Sequence, residues 1–175
     1  MIDVKIDGKR IAILVADDFE DVELTEPLEQ LTEAGAGTVI VGMQAGETVE
    51  GKHGTTIEVE QAAGAMSVDD FDLLLIPGGQ APEKLRLDDE VLDLVRNSDE
   101  AGRPIASICH APLVLVSADV LAGRRATSWM GVQDDIANAG AEVVDESVVV
   151  DGNLITSRGP DDIPDFVDAI MEALQ

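Results

Sequence analysis

The sequence predicts an α/β protein: a single-domain, three-layer sandwich with a mostly parallel sheet flanked by helices. Three observations lead there. Short β-branched runs alternate with amphipathic segments along the whole chain. Two runs, "DLLLIPGG" (72–79) and "PIASIC" (104–109), are apolar almost throughout, as central parallel strands covered on both faces are. With 175 residues and 45% apolar content, the chain has the size of one domain that buries roughly 70% of its unfolded surface. No repeat, linker or low-complexity segment breaks residues 1–175 into parts.

The elements follow in order. "RIAILVA" (10–16) is a first strand. The segment 17–37 holds a helix with Val22, Leu28 and Leu31 on one face and Gly35 as its stop. "TVIVGM" is a second strand, and "ETVEGKHGTTIEVE" (47–60) reads as a hairpin that alternates after the Gly54 turn. The strand "DLLLI" ends in a Pro-Gly-Gly turn and is followed by a helix over 88–102. The strand "PIASIC" runs into a helix with Pro112 in its first turn, where the missing N–H costs nothing. "RRATS" is strand-like, "GVQDDIANAG" helical, and "AEVVD" and "SVVVDGNLIT" are strands with an Asp-Gly-Asn turn. An amphipathic helix over 160–175 closes the chain.

Charge and cysteine content narrow the function. Asp and Glu number 36 against 11 Lys and Arg, a formal net charge of −25. Such a field repels phosphate, so neither nucleic acid nor membrane is expected as a partner. Mean hydropathy of +0.11 argues against disorder. The acids are spread along the chain and lysines number four, which reads as a hydrated acidic coat suited to a salty cytoplasm. One cysteine excludes a disulfide scaffold. The charged N-terminus lacks an apolar signal core, and the long uncharged stretch over 105–118 is shorter than the ~20 residues that span a bilayer. A cytoplasmic location is expected.

In parallel sheets, sites gather at the carboxyl ends of strands, and three chemistry-bearing stretches fall there: "DDFEDVE", "PGGQAPE" and "CHAP". Cys109 sits where a strand hands over to a helix, whose unpaired N–H groups are expected to lower the thiol's pKa. That suits acyl or carbonyl chemistry, whereas an inert buried cysteine is the structural alternative. His110 adjoins it, but adjacency does not aim its ring at the sulfur, and a carboxylate is expected to do so. Gly78 and Gly79 offer backbone N–H groups for an oxyanion hole, or form a plain turn. Glu20, Glu23 and Glu83 lie where helix first turns welcome acids in any case. One Cys and two His fall short of a ligand set for metal, so no metal and no cofactor is expected.

The stretches "FEDVEL", "GKHG", "PGGQAPE", "GRPIASICHAP", "DDIANAGAEVVD" and "VVVDGNLITSR" match, in order and spacing, a known family. The chain resembles the PfpI-like intracellular protease family, within the parkinsonism-associated deglycase superfamily of class I glutamine amidotransferase-like, flavodoxin-like folds. The resemblance implies Cys109 as nucleophile at a strained elbow, with Glu23 bonded to its sulfur and holding a proton the two share. It implies His110 as base, Glu83 as the acid that orients it from a neighbouring subunit, and the N–H groups of Gly79 and His110 as the oxyanion hole. Glu20 and Trp129 are the further substrate-side residues. Relatives often carry Gly where this chain has Ala111, and Tyr where it has Trp129, which keeps an aromatic wall without a phenolic hydroxyl. The glutamine amidotransferase triad is absent, because no histidine follows His110.

The implied activity is cofactor-free conversion of methylglyoxal to lactate, or removal of early glycation adducts from protein or peptide. A cysteine peptidase is the second reading, and a redox-sensing stress protein or chaperone, oxidised at Cys109 to sulfinic acid, the third. A homo-oligomer, dimer to hexamer, is the expected assembly if Glu83 acts on a neighbour.

Overall fold

The computed structural model describes residues 5–175; residues 1–4, the start of the charged N-terminus, lie outside it. The strands are β1 (Arg10–Leu14), β2 (Gly37–Gly42), β3 (Thr48–Glu50), β4 (Thr56–Glu58), β5 (Gln61–Ala62), β6 (Leu73–Ile76), β7 (Ile105–Ile108), β8 (Arg125–Ala126), β9 (Glu142–Val143), β10 (Val148–Asp151) and β11 (Leu154–Ser157). The helices are α1 (Asp21–Glu33), α2 (Ala81–Leu85), α3 (Asp89–Glu100), α4 (Pro112–Ala118), α5 (Gln133–Asn138) and α6 (Ile163–Ala173).

Seven strands form the main sheet in the order β10-β11-β7-β6-β1-β2-β5, all parallel except the β10–β11 hairpin at one edge. Every side chain of β6 and β7 is buried, which is why both segments read as continuous apolar runs. The helix α1 packs against α6, and α2 and α3 pack against α4, so that helices flank the sheet. Phe19, Phe71 and Phe166 are the largest fully buried side chains. Each such burial stabilises the fold by about 1.5–3 kcal/mol.

Three expectations shift. The first helix begins at Asp21, because Asp18 is left-handed (φ 67°) and residues 17–20 form a loop. Val22 is 36% exposed, and the buried stripe of α1 is Leu24, Pro27 and Leu31. Val22 lies six positions before Leu28, which places it about 120° around the helix from that residue. The helix after "CH" starts at Pro112, leaving His110 in the turn. The 47–60 hairpin is present as β3–β4, with Thr48 opposite Glu58 and Gly54 at φ 96°. The small β8–β9 pair lies apart from the main sheet.

The order β7-β6-β1 matters most for chemistry. Three adjacent parallel strands end at one edge, and the loops that follow them, 15–20, 77–80 and 109–111, converge there.

Candidate active site

The first two loops are bonded to each other. Glu20 donates its N–H to Gly78 O (3.2 Å), Gln80 donates to Asp18 O (2.8 Å), and Phe19 forms an antiparallel bridge with Gly79. Both glycines are required. Gly79 has φ +81°, and a Cβ there would fall 2.4 Å from Glu20 N. A Cβ on Gly78 would come within 2.6 Å of Glu23 Oε1 and 2.8 Å of Cys109 Cβ. At this turn the backbone comes as close to a carboxyl and a thiol as glycine alone permits.

Cys109 is left-handed (φ 64°), a conformation that costs a non-glycine residue about 1–3 kcal/mol. Its neighbours hold it there: its N–H donates to Ser157 O (3.0 Å), and its carbonyl accepts from Trp129 N–H (2.9 Å). The thiol is buried. Its pKa is not lowered as the helix-terminus reading expects; burial, then the charge of Glu23, pushes it up to about 12. The backbone N–H groups of His110 and Gly79 pull the other way. The helix end contributes little because α4 is seven residues long, opens with a proline, and its amides at Leu113 and Val114 are taken by His110 O and Ala111 O.

Glu23, in the first turn of α1, is fully buried. Its Oε1 accepts the Gly78 N–H (2.8 Å), while Oε2 has no hydrogen-bond partner among the described residues. Burial pushes its pKa up to about 8 in spite of the Gly78 bond; Glu20 adds to the rise, and the Cys109 thiol and Lys52 oppose it. Glu23 is therefore mostly protonated at neutral pH.

The His110 ring does reach the sulfur, with Nδ1 3.2 Å from Sγ. Within the chain the imidazole stacks on Trp129, centroids 6.0 Å apart and planes inclined by 23°. No carboxylate hydrogen-bonds to it among the described residues. Burial lowers its pKa, with Glu83 and Glu20 opposing and Lys52 assisting, so the ring is neutral and able to accept a proton. Glu83 is exposed in the first turn of α2 and bears on His110 through space.

Glu20 stands with Lys52 (3.6 Å) and His53 (3.4 Å) from the β3–β4 turn. Asp21 accepts N–H groups from His53 and Thr55 of that turn, both at 2.9 Å. Burial would raise the Asp21 pKa, but the Thr55 hydroxyl and these amides hold it below the usual carboxylate value. Sequence reasoning missed Asp21, Lys52 and His53; the signals were "GKHG", which had no role assigned, and the fourth of the five acids in "DDFEDVE". Trp129, 46% exposed, also walls a hollow of about 300 Å³ with Met130, Pro160 and Arg158, whose guanidinium is held by Asp162 and Asp145. Among the described residues no group of three or more His, Cys, Asp or Glu is arranged to hold a metal ion.

A buried cysteine at a left-handed strand-to-helix turn, with a carboxyl and an imidazole beside it, defines a cysteine-centred α/β protein of the flavodoxin-like kind. The profile of the DJ-1/PfpI family matches residues 9–173, and the chain belongs to that family. It is 46% identical over 154 residues to a deglycase of Pyrococcus abyssi, covering 88% of this chain and 92% of that one. It is 42% identical over 159 residues (91% and 94%) to a Bacillus subtilis protein, YraA, whose name assigns it provisionally to the cysteine proteases. Among solved structures, a two-domain Anabaena variabilis protein with DJ-1/ThiJ/PfpI-like and ferritin-like domains matches with a TM-score of 0.94 and 38% identity. That match covers 95% of this chain and 48% of the other, so the chain spans about half of that protein. No described helix is long and apolar enough to cross a membrane.

Proposed function

We propose that this protein is a cytoplasmic cysteine-dependent enzyme of reactive carbonyls, which converts methylglyoxal to lactate or removes early glycation adducts. One observation carries the reading: a buried thiol 3.2 Å from a neutral imidazole, beside a carboxyl that titrates near 8. A high thiol pKa is then no obstacle, because neutral His110 takes the S–H proton as the sulfur adds to the aldehyde carbon. The resulting oxyanion meets the N–H groups of Gly79 and His110, and imidazolium His110 returns the proton to give a hemithioacetal. The ionised fraction of Glu23, a stronger base for being buried, takes the C1 proton to leave an enediolate and returns it at C2, while the proton on O1 passes to O2. This yields a lactoyl thioester, which water hydrolyses to lactate and free thiol. For an adduct, the hollow beside Trp129 gives room for the amine half.

The test is lactate formation from methylglyoxal, and release of amine from a glycated peptide, by wild type and Cys109→Ala. A loss of at least about 10³-fold is expected; equal rates refute thiol catalysis. The peptidase reading has the Cys–His contact and the YraA name in its favour, and casein turnover by highly purified protein that Cys109→Ala abolishes would establish it. Glu83, exposed in the first turn of α2, is read as serving a neighbouring copy in a homo-oligomer, beside the charge it exerts on His110 of its own chain. Glu83→Gln is expected to lower kcat about tenfold with the mass in solution unchanged; an unaltered kcat refutes that role.

A further inference from the structure

The turn between β3 and β4, which contains "GKHG", is built onto the active-site loop more firmly than a surface hairpin requires. Asp18 donates its N–H to Glu50 O (2.8 Å), Lys52 donates to Phe19 O (3.0 Å), and Glu50 N–H reaches Asp17 Oδ1 (2.9 Å). Asp21 completes the clamp, one carboxylate oxygen on His53 N–H and the other on Thr55 N–H. The fit is tight: a Cβ on Gly51 would fall 2.5 Å from Asp21 Oδ1. Inside the turn, Gly51 N–H bonds Thr55 O (2.7 Å) and Gly54 N–H bonds Gly51 O (3.1 Å), with Gly54 left-handed. The product of this construction is the placement of Lys52 and His53 against the two oxygens of Glu20.

We propose that the 51–55 turn is an electrostatic part of the active site, in which Asp21 is the positioning residue and Lys52 the cation that sets the charge balance around Glu23 and His110. This rests on the reading of Cys109, His110 and Glu23 as the reacting set. The groups that face that set are few. The 17–20 loop brings Glu20, Asp17 and Asp18, of which Asp18 is paired with Lys84. The first turn of α1 brings Asp21 and Glu23, α2 brings Glu83, and the turn itself brings Lys52 and His53. Among the described residues, Lys52 is the one lysine or arginine whose charge bears on both Glu23 and His110. It favours the deprotonated form of each: it keeps imidazole neutral to receive the thiol proton, and it eases Glu23 toward the base it must become. In a site walled by Glu20, Glu23 and Glu83, losing that cation leaves the acids unopposed.

The chain has two histidines, so the imidazole NMR signal of His110 can be assigned with a His53→Asn variant and titrated directly. Lys52→Met is expected to move the His110 titration to higher pH by about half a unit, the size of one partly screened charge at a solvent-exposed mouth. Lys52→Arg is expected to leave it in place. Asp21→Asn is expected to move it in the same direction as Lys52→Met, because the turn is unclamped. If Asp21→Asn lowers Tm while His110 titrates as in wild type, Asp21 is merely structural and the proposal falls. If Asp21→Asn fails to fold, an unmoved His110 titration in Lys52→Met overturns it alone. The readout needs no substrate, so its failure is separate from failure of the carbonyl-enzyme reading.

Discussion

Replacing Glu23 by glutamine removes one proton site and almost nothing else: the shape is kept, and the Gly78 N–H keeps an oxygen acceptor. The folded carboxyl titrates near 8 instead of its ordinary 4.5. Between those values the folded state holds a proton that the unfolded chain has released, so stability falls as pH rises through that window. At about 1.4 kcal/mol per pH unit, ionising this carboxyl, whose Oε2 lacks a partner, costs the wild type a few kcal/mol by pH 8.5. Glu23→Gln escapes that cost. Urea unfolding of both proteins at pH 5, 7 and 8.5, at one fixed high salt concentration, isolates the effect, because the remaining acids contribute alike to both. The variant's stability relative to wild type is expected to rise by about 2 kcal/mol or more from pH 5 to 8.5, while its activity falls at least about 10²-fold. A difference that stays flat with pH would refute the assignment of Glu23 as a buried carboxyl that resists ionisation.

Gly78→Ala forces a methyl into contact with Glu23 and Cys109, and is expected to cost about 1–3 kcal/mol and to bring methylglyoxal turnover close to that of Cys109→Ala. A variant with wild-type kcat and Tm contradicts the close approach at that turn. With a net charge of −25, self-repulsion is expected to destabilise the fold where screening is weak. Calorimetry between about 0.1 M KCl, where the screening length is about 10 Å, and about 1 M, where it is about 3 Å, should show Tm rising by several degrees. A Tm that does not change with salt argues against the salt-adapted reading of the acidic coat.

Much of this protein was legible before any coordinates. The runs "LLLI" and "IASI" could belong only to covered parallel strands, and the Gly35, Gly54 and Asp-Gly-Asn turns fell where backbone chemistry requires them. The three loops were locatable as a set because strand ends carry sites whatever the sequence of the strands. Charge composition gave the net charge of −25 but hid the important acid. With 36 carboxylates, nothing local separates Glu23 from its neighbours. Among the described residues only Asp21 and Glu23 are buried, and both are in the first turn of α1.

Sequence by itself determined the layered α/β architecture and the corner where the cysteine lies, since periodicity and turn chemistry are local properties. Tertiary structure alone decided the protonation chemistry. Burial depth, the approach of Glu23 to the thiol, the His110–Trp129 stack and the Lys52 charge bring together residues up to about a hundred positions apart in the chain. A pKa responds to solvation and to charge through space, and neither is written along the chain.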